Sequence, residues 1–348
     1  MARDTAPVVL AVDGNSLVHR SFHALASTDR PWWAVRGLLS QLVAAVDRVR
    51  PAAVVVGFDD PEQSLRRDTW PDYKAHRTDK LDTLVEQLAA AVAAMRELGV
   101  AVCVPPGLEA DDVLASTATA ARSAGARTVV CTSDRDAFSL IDEHTSVLRI
   151  INGGVEASPL MTADRLVLLL GVRPEQYRDF AALRGDPSDN LPGVRGIGPR
   201  IAARLLREFG TAAAAFADLD VVAERLGRHV ARLLGQPGAE AAWRRNCEVM
   251  TMRTDVPTGL CLDTGAGVMP LDAATVEAVF RRFGTSWTAG PVRVLAEVEP
   301  PAAEPVVWPA VTAADEPQHW TNAPRRLPRL RRAAPPPRPR GEQLALFD

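Results

Sequence analysis

Short apolar runs alternate with amphipathic segments through the first half of the chain. The Val-rich runs predict buried strands at residues 8–12, 53–58, 100–104, 128–132 and 147–151. Between them, apolar residues recur at three- and four-residue spacing and predict helices at residues 17–25, 35–49, 81–95 and 110–124. This alternation predicts an α/β fold, in which a mostly parallel central sheet carries helices on both faces.

Acidic side chains stand just beyond four of the predicted strands. They are Asp13, Asp59, Glu109, Asp111, Asp112, Asp134 and Asp136. Parallel sheets place their binding sites beyond the carboxyl ends of the strands. Helix capping accounts for a single Asp of this kind. Carboxylates at four strand ends instead favour a divalent cation, because an ion offsets their mutual repulsion.

The composition narrows the class of protein without naming a function. The chain has 348 residues, of which 47% are hydrophobic, enough for a sizeable core and for two domains. Its four cysteines are scattered, which argues against a zinc site or a disulfide framework. No signal region and no membrane-spanning run is present, so we expect a cytoplasmic protein without a membrane partner. The net charge of -3 decides nothing about nucleic acid.

The second half of the chain has a helical pattern interrupted by an acidic, glycine-rich stretch. Asp186 and Asp189 come first, followed by LPGVRGIGPR. A glycine turn between two helices predicts a hairpin whose backbone N–H groups face a phosphate. The residues expected to contact DNA there are Gly193, Gly196, Ile197, Gly198 and Arg200.

A basic segment lies between the second predicted strand and the next helix. It includes Arg66, Tyr73, Lys74 and Arg77. The segment is either ordinary surface charge or a nucleic-acid surface in which Lys and Arg bind phosphates and Tyr stacks on a base. Arg20, on the helix after Asp13, is expected to reach the same place.

The last fifty or so residues differ in composition from the rest of the chain. Pro, Ala and Arg dominate residues 300–340, which predicts a disordered tail. The tail ends in an apolar cluster of Gln343, Leu344, Leu346 and Phe347. Such a cluster has no core to join, so a groove on a partner protein is its expected site.

The acidic set favours one kind of chemistry. Carboxylates without a His or Cys cluster favour Mg²⁺ or Mn²⁺. Two acidic groups around a shared centre fit a two-metal site for phosphodiester hydrolysis. A phosphatase shares such metals but needs no long nucleic-acid surface.

An ordered set of motifs resembles the bacterial 5′→3′ exonucleases, or flap endonucleases, which include the 5′-nuclease domain of DNA polymerase I. The motifs, within residues 8–290, are VDGNSLVHRSFHA, GFDD, LRRDTWPDYKAHR, GLEADDVLAS, SDRDAFSLI, LRGDPSDNLPGVRGIGP and MTMRTDVP. The resemblance implies a stand-alone nuclease without a polymerase domain. It also implies a PIN-like catalytic core at 1–160 with a helical arch at about 60–82. A helical DNA-binding subdomain would follow at 161–290, with a helix-hairpin-helix at 184–210, and then the tail at 300–348.

The resemblance also implies residue roles. Asp13, Asp59, Glu109 and Asp111 would hold the first metal ion. Asp134, Asp136 and Asp189 would hold the second with Asp111 shared, and Asp112 and Asp186 would act through water. Arg20, Lys74 and Arg77 would hold the scissile phosphate, Arg66 would add a basic DNA contact, and hairpin carbonyls would bind K⁺.

The implied function is a structure-specific 5′–3′ exonuclease and 5′-flap endonuclease in primer removal and repair. Its partners would be DNA with 5′ flaps, nicks or RNA primers, with the enzyme a monomer at the nucleoid. The tail resembles the bacterial sliding-clamp-binding pentapeptide, here QLALF. Two alternatives remain: a catalytically inactive junction-binding adaptor that recruits the clamp, and a ribonuclease with a related sheet.

Overall fold

The computed structural model describes residues 6–25, 31–76, 81–285 and 287–297. All of these belong to one compact unit, Met1–Pro309. Some predicted functional residues lie outside the described residues, namely Arg77, Gln343, Leu344, Leu346 and Phe347. None of the described helices has the length and apolar character needed to cross a membrane.

A six-stranded sheet forms the centre of the fold. Its strands are β1 (Val8–Asp13), β2 (Ala53–Gly57), β3 (Ala101–Cys103), β4 (Arg127–Thr132), β5 (Thr145–Arg149) and β6 (Leu160–Met161). They lie in the order β3-β2-β1-β4-β5-β6. The first five strands are parallel, and β6 runs antiparallel to β5. The predicted mostly parallel sheet is therefore confirmed.

Helices cover both faces of the sheet. Those of the first half are α1 (Gly14–Leu25), α2 (Trp33–Val49), α3 (Leu65–Thr69), α4 (Asp82–Glu97) and α5 (Ala110–Ser123). Side chains alternate between the two faces of β1. Leu10 joins the cluster that contains Leu17 of α1 and Leu38 of α2, whereas Val9 joins Val113 of α5. Burial on both faces explains why the central strands are continuously apolar.

The helix α1 begins three residues before its predicted start at residue 17. Asp13 accepts a hydrogen bond from the backbone N–H of Ser16 (2.8 Å), which supports the first turn. Gly14 fits there because a Cβ would lie 2.5 Å from the Phe58 ring. The close approach of Phe58, the residue after β2, thus favours glycine at the point where β1 is followed by α1.

The second half is helical apart from a two-stranded ribbon of β7 (Gly185–Asp186) and β8 (Leu191–Pro192). The next helices are α6 (Ala163–Leu170), α7 (Tyr177–Arg184), α8 (Pro199–Phe209), α9 (Ala212–Ala217) and α10 (Leu219–Leu226). The last are α11 (Arg228–Leu234), α12 (Ala239–Val249), α13 (Ala273–Arg282) and α14 (Ala289–Val292), followed by a π-helical turn at Arg293–Glu297.

The chain returns to the sheet after the helical region. Val276 and Phe280 of α13 are buried in the same apolar cluster as Leu10 of β1. Helix α13 therefore covers the α/β core, and the predicted DNA-binding subdomain at 161–290 is wrong in including it. The pattern of residues 271–283 alone does not reveal this, because an amphipathic helix can pack on either region.

Candidate active site

The strand order creates a switch point between β1 and β4. From β1 the chain leads to β2 and β3 on one side, while β4 and β5 lie on the other. In open parallel sheets, ligands bind in the crevice at this point. Asp13 ends β1 and Asp134 follows β4, so both acidic residues flank the crevice.

Asp13 is held rigidly at the floor of the crevice. Its carboxylate accepts hydrogen bonds from the Ser16 N–H (2.8 Å) and from the Thr132 hydroxyl (2.7 Å). Burial, together with the charges of Asp59 and Asp134, raises the pKa of Asp13 to about 7. A divalent cation in the crevice would offset this cost of the charged form.

Asp59 links the first two acidic segments. Its carboxylate accepts a hydrogen bond from the Ala110 N–H (3.0 Å), at the start of α5. Its own N–H donates to the side-chain oxygen of Asn15 (3.2 Å). The hydrogen bond between Asp59 and Ala110 holds the end of β2 beside the loop that carries Glu109 and Asp111.

Glu109 and Asp111 face different surroundings although they are two residues apart. Burial opposes the charged form of Glu109, but Lys74 and Arg66 outweigh it and lower the pKa of Glu109 below its usual value. Burial, with the charges of Asp134 and Asp13, raises the pKa of Asp111 well above its usual value. Glu109 thus already has cationic partners, whereas Asp111 lies among like charges.

A second acidic group follows β4. The N–H of Asp136 donates to Asp134 (3.0 Å), and the N–H of Asp134 donates to the Thr132 hydroxyl (3.0 Å). Burial, with the charges of Asp134, Asp186 and Asp189, raises the pKa of Asp136 well above its usual value. The Oδ1 atom of Asp136 is buried without a hydrogen-bond partner. An orphaned carboxylate oxygen of this kind fits the ligand of a hard cation.

The acidic loop after α7 completes the second group. Asp189 accepts a hydrogen bond from the Tyr73 hydroxyl (3.1 Å) and lies 4.0 Å from the Lys74 ammonium. Asp186 instead caps its own turn through the Ser188 N–H (2.8 Å) and hydroxyl (2.6 Å). The loop is anchored further by the Lys74 N–H, which donates to the carbonyl oxygen of Asp189 (3.0 Å).

The two groups border adjoining spaces. A cleft of about 600 Å³ is lined by Asp13, Asp59, Glu109, Asp111 and Asp134, with Arg20 and Lys74 on its walls. A pocket of about 10 Å³, the size of one water, is lined in part by Asp111, Asp136 and Asp189. Asp111 lines both spaces, and its shared role between two metal ions stays a prediction.

Among the residues that the structure describes, no three Asp, Glu, His or Cys side chains are arranged as a preformed metal site. One of the predicted ligands, Glu109, is instead bonded to the basic segment. Lys74 and Tyr73 each place a donor 3.0 Å from Glu109 Oε2. Glu109 is thus turned toward protein donors. Desolvation and neighbouring carboxylates disfavour the charged forms of Asp13, Asp111 and Asp136, so these three fit a cation.

Arg20 lines the same cleft as Lys74. Its guanidinium donates to the Ile151 carbonyl (2.5 Å) and to the Asn152 side chain (3.1 Å) on the opposite side of the cleft. Lys74 adopts a left-handed backbone conformation (φ 54°), which directs its side chain to Glu109. Both cations can meet a phosphate in the cleft.

The predicted base-stacking role of Tyr73 is wrong. Its side chain is buried, with 4% exposure, and its ring packs with Leu191 and Val249. Burial, with the charges of Glu109 and Asp189, raises the pKa of Tyr73, so its hydroxyl remains a donor to both carboxylates. Tyr73 is thus part of the floor of the site.

The structure also corrects the predictions for Arg66 and Asp112. Arg66 forms a two-point ion pair with Asp112, with N–O distances of 2.8 and 2.9 Å. Asp112 is 1% exposed, so neither a direct DNA contact nor a water-mediated metal contact fits this buried pair. Sequence reasoning missed it because Arg66 precedes Asp112 by 46 positions.

The predicted helix-hairpin-helix falls on α7, the β7–β8 ribbon and α8. Helix α7 leads through β7 and β8 to the glycine turn and then to α8. A Cβ on Gly193 would lie 2.3 Å from the Arg184 carbonyl carbon, so the two halves of the turn are in backbone contact. Gly198 faces open space at the start of α8, and Arg200 is exposed beside it.

Two glycine-turn residues have structural explanations. Gly196 has a left-handed backbone (φ 87°), which favours glycine. Ile197 is 3% exposed, and its N–H donates to the Val194 carbonyl (2.9 Å). The side chain of Ile197 therefore packs inside the hairpin, and a DNA contact by this residue stays a prediction.

Several supporting residues were not predicted. Thr132 bridges Asp13 and Asp134, Asn15 holds the Asp59 backbone, and Ser16 accepts a hydrogen bond from the Ser133 N–H (3.1 Å). The only sequence signal was their position at the ends of β1 and β4. Polar residues at strand ends are common, so the pattern did not distinguish them.

Family models match both halves of this arrangement. Residues 8–167 match the N-terminal, resolvase-like domain of the 5′-3′ exonucleases, and residues 172–272 match the C-terminal SAM fold of the 5′-3′ exonucleases. The chain belongs to the 5′-3′ exonuclease family. The family predicted from the motifs is thereby confirmed.

Curated relatives include bacterial DNA polymerases I. That of Mycobacterium tuberculosis is 34% identical over 280 residues, which cover 79% of this chain and 30% of the relative. The thermostable enzyme of Thermus aquaticus is 36% identical over 257 residues, covering 72% of this chain and 29% of the relative. The chain thus spans under a third of the length of these relatives.

Solved structures share the fold. The T5 5′-exonuclease with bound zinc ions is 19% identical, with a TM-score of 0.58, and covers 83% of this chain and 99% of its own. The catalytic core of Rad2, in complex with DNA substrate, is 13% identical, with a TM-score of 0.53, covering 84% of this chain and 93% of its own. At these identities the likeness concerns the fold alone.

Proposed function

We propose that this chain is a metal-dependent 5′–3′ exonuclease and 5′-flap endonuclease that hydrolyses DNA phosphodiesters. The observation that carries the proposal is the convergence of carboxylates from five chain segments at one sheet switch point. Family membership supports the reaction class. Flaps, nicks and RNA-primed ends are the proposed substrates, in primer removal and repair.

The carboxylates would hold two Mg²⁺ or Mn²⁺ ions. Asp13, Asp59, Glu109 and Asp111 line the cleft and would hold the first. Asp134, Asp136 and Asp189 would hold the second, with Asp111 shared and Asp186 linked through water. Oxygen ligands favour these hard cations over zinc. When bound, such ions activate water and stabilise the attacking and leaving oxygens.

The remaining groups of the cleft would position the DNA strand. Arg20 and Lys74 line the cleft and would hold the scissile phosphate, with Arg77 joining them. A cleft of about 600 Å³ is in the size range of small-ligand pockets. We infer that a single strand enters it after separation from the duplex, which fits cleavage at flaps and frayed 5′ ends.

The hairpin would hold the duplex beside the cleft. Gly198 exposes backbone at the N-terminus of α8, where a phosphate is favoured, and Arg200 adds a cation. Hairpin carbonyls would also bind K⁺. These contacts go to the DNA backbone, so they would carry little sequence preference.

A partner contact is proposed for the end of the chain. Gln343, Leu344, Leu346 and Phe347 would bind a bacterial sliding clamp. Tethering would raise the local concentration of the nuclease at DNA junctions without altering its chemistry. The enzyme itself would act as a monomer on DNA in the cytoplasm.

The adaptor alternative is not favoured. Carboxylates beside DNA would weaken DNA binding by an adaptor, because they repel the phosphate backbone. The ribonuclease alternative is tested by comparing matched DNA and RNA flaps. We expect faster cleavage of the DNA flap, and cleavage of RNA alone would support the ribonuclease.

The proposal as a whole is tested with end-labelled 5′-flap, nicked and RNA-primed duplexes. We expect cleavage that requires Mg²⁺ or Mn²⁺, with product lengths that report the cut position. Purified protein that binds a flap without cutting it in either metal would instead support the adaptor.

A further inference from the structure

We propose that Asp112 and Arg66 are positioning residues that keep Glu109 available as a metal ligand. The inference rests on the proposed nuclease function and concerns two residues that touch neither metal nor DNA. Asp112 follows the metal-binding loop at the start of α5, and Arg66 belongs to α3 at the base of the arch.

Protein donors surround both oxygens of Asp112. Oδ2 accepts from Arg66 (2.8 Å) and from the Glu109 N–H (3.0 Å). Oδ1 accepts from Arg66 (2.9 Å) and from the Arg253 N–H (2.8 Å). A carboxylate offers about four lone-pair sites, so this one has none left for a metal-bound water.

Arg66 connects three separate parts of the chain. Arg66 itself belongs to α3, and its guanidinium pairs with Asp112 of α5. Its Nε atom also donates a hydrogen bond to the Val249 carbonyl at the end of α12 (3.0 Å). The two parallel N–H···O bonds to Asp112 fix the plane of the guanidinium. The position of the arch base is thereby tied to the metal-binding loop.

Glu109 competes with Asp112 for the same guanidinium. Arg66 Nη1 lies 3.3 Å from Glu109 Oε2 but 2.8 Å from Asp112 Oδ2. Without Asp112, the half-buried cation would have Glu109 as its nearest acid and would pair with it fully. Glu109, which already accepts from Lys74 and Tyr73, would then be held by Arg66 as well, and its backbone N–H would lose its acceptor.

The pair therefore predicts a pattern of variant effects on metal binding that a metal ligand would not give. Loss of Asp112 alone should weaken metal binding, whereas simultaneous removal of Arg66 should restore it. Partners that orient metal ligands typically change metal affinity by about 10–100-fold when removed. A true ligand, direct or through water, could not be rescued by removing a neighbouring arginine.

The test compares Asp112→Leu, Arg66→Met and the double variant. Mn²⁺ affinity is measured by calorimetry, and Mg²⁺ dependence is measured on a 5′-flap substrate. We expect Asp112→Leu to raise the Mn²⁺ Kd at least about ten-fold, and the double variant to come within about three-fold of wild type. Asp255→Asn, in the exposed Arg253–Asp255 pair, is the matched control and should leave both values unchanged.

Asp112→Asn provides a second route if Asp112→Leu fails to fold. Asparagine has nearly the same shape as aspartate. The metal affinity of the Asp112→Asn variant should again improve when Arg66→Met is added. Equal, unrescued losses in the single and double variants would overturn the inference. Failure of the proposed function looks different, since wild-type protein would then not cleave the flap at all.

Discussion

At the scale of single residues, the site contains carboxyl groups whose ionisation is unfavourable. Asp13 is buried and Asp111 and Asp136 are partly buried, and each has a raised pKa because desolvation and neighbouring carboxylates disfavour the ionised form. Such an arrangement costs folding free energy unless an ion compensates. The arrangement fits the proposed metal-loaded state, and its cost in folding free energy should be measurable without metal.

The metal-free protein should lose stability as the pH rises. Between about pH 4 and pH 7, Asp13 keeps its proton in the folded state, where its pKa is about 7, but loses it in the unfolded state. The folded state binds more protons in this window, so the free energy of unfolding falls with increasing pH. Denaturant unfolding in EDTA, at about pH 5 and about pH 7.5, should differ by a few kcal/mol.

Asp13→Asn gives the control for this pH effect. It removes one titrating carboxyl, so the difference between the two pH values should shrink. Saturating Mg²⁺ should also reduce it in the wild type. Stability that rises with pH in EDTA would show that these carboxylates are not the strained groups described.

Thr132 is expected to set metal affinity through Asp13. Thr132→Val removes the hydroxyl that bonds Asp13 and accepts from the Asp134 N–H. We expect the Mn²⁺ Kd to rise about ten-fold, as for other partners of metal ligands. Thr132→Ser keeps the hydroxyl and should bind Mn²⁺ nearly as wild type does. Equal losses in both variants would assign the effect to packing.

At the scale of elements, the glycine turn and the arch base bring remote segments to the site. Trp70 lies under the Arg245 guanidinium (4.0 Å to the ring centre), and Asn190 donates to the Asp72 carbonyl (2.8 Å). These contacts join the arch to the helical region. They explain why Tyr73 and Lys74 reach Glu109 and Asp189 together.

Two glycines of the hairpin should respond differently to alanine. Gly193→Ala places a Cβ 2.3 Å from the backbone carbon of Arg184, which cannot move aside. We expect a loss of about 1–3 kcal/mol in unfolding free energy. Gly198→Ala meets open space and should change stability by less than about 0.5 kcal/mol. A reversed order in denaturant unfolding would contradict the hairpin geometry.

The elements differ in how far the sequence predicts them. The central strands β1, β2, β4 and β5 were predictable because both of their faces are buried, which leaves a continuous apolar run. The burial of Tyr73 was not, because it depends on contacts with Leu191 and Val249, far along the chain. Likewise, the Arg66–Asp112 pair exists only once the arch has docked on α5.

At the scale of the whole molecule, chemistry and recruitment should be separable. The predicted acidic residues all lie within the described residues, whereas the QLALF sequence lies at residues 343–347. Deleting residues 343–348 should abolish binding to a purified bacterial sliding clamp and leave intrinsic flap cleavage unchanged. Surface plasmon resonance measures the first and a gel assay the second. Unchanged clamp affinity in the truncated protein would refute the partner proposal.

The most direct measurement is single-turnover cleavage of an end-labelled 5′ flap by wild type and Asp111→Asn. Asp111 lines both spaces of the site, so its loss should affect both metal positions. With Mg²⁺, we expect wild type to cut near the flap junction. Asp111→Asn should be slower by at least about 100-fold, several kcal/mol of lost charge stabilisation, while still binding the flap. Equal rates in the two proteins, or cleavage in EDTA, would contradict the two-metal account.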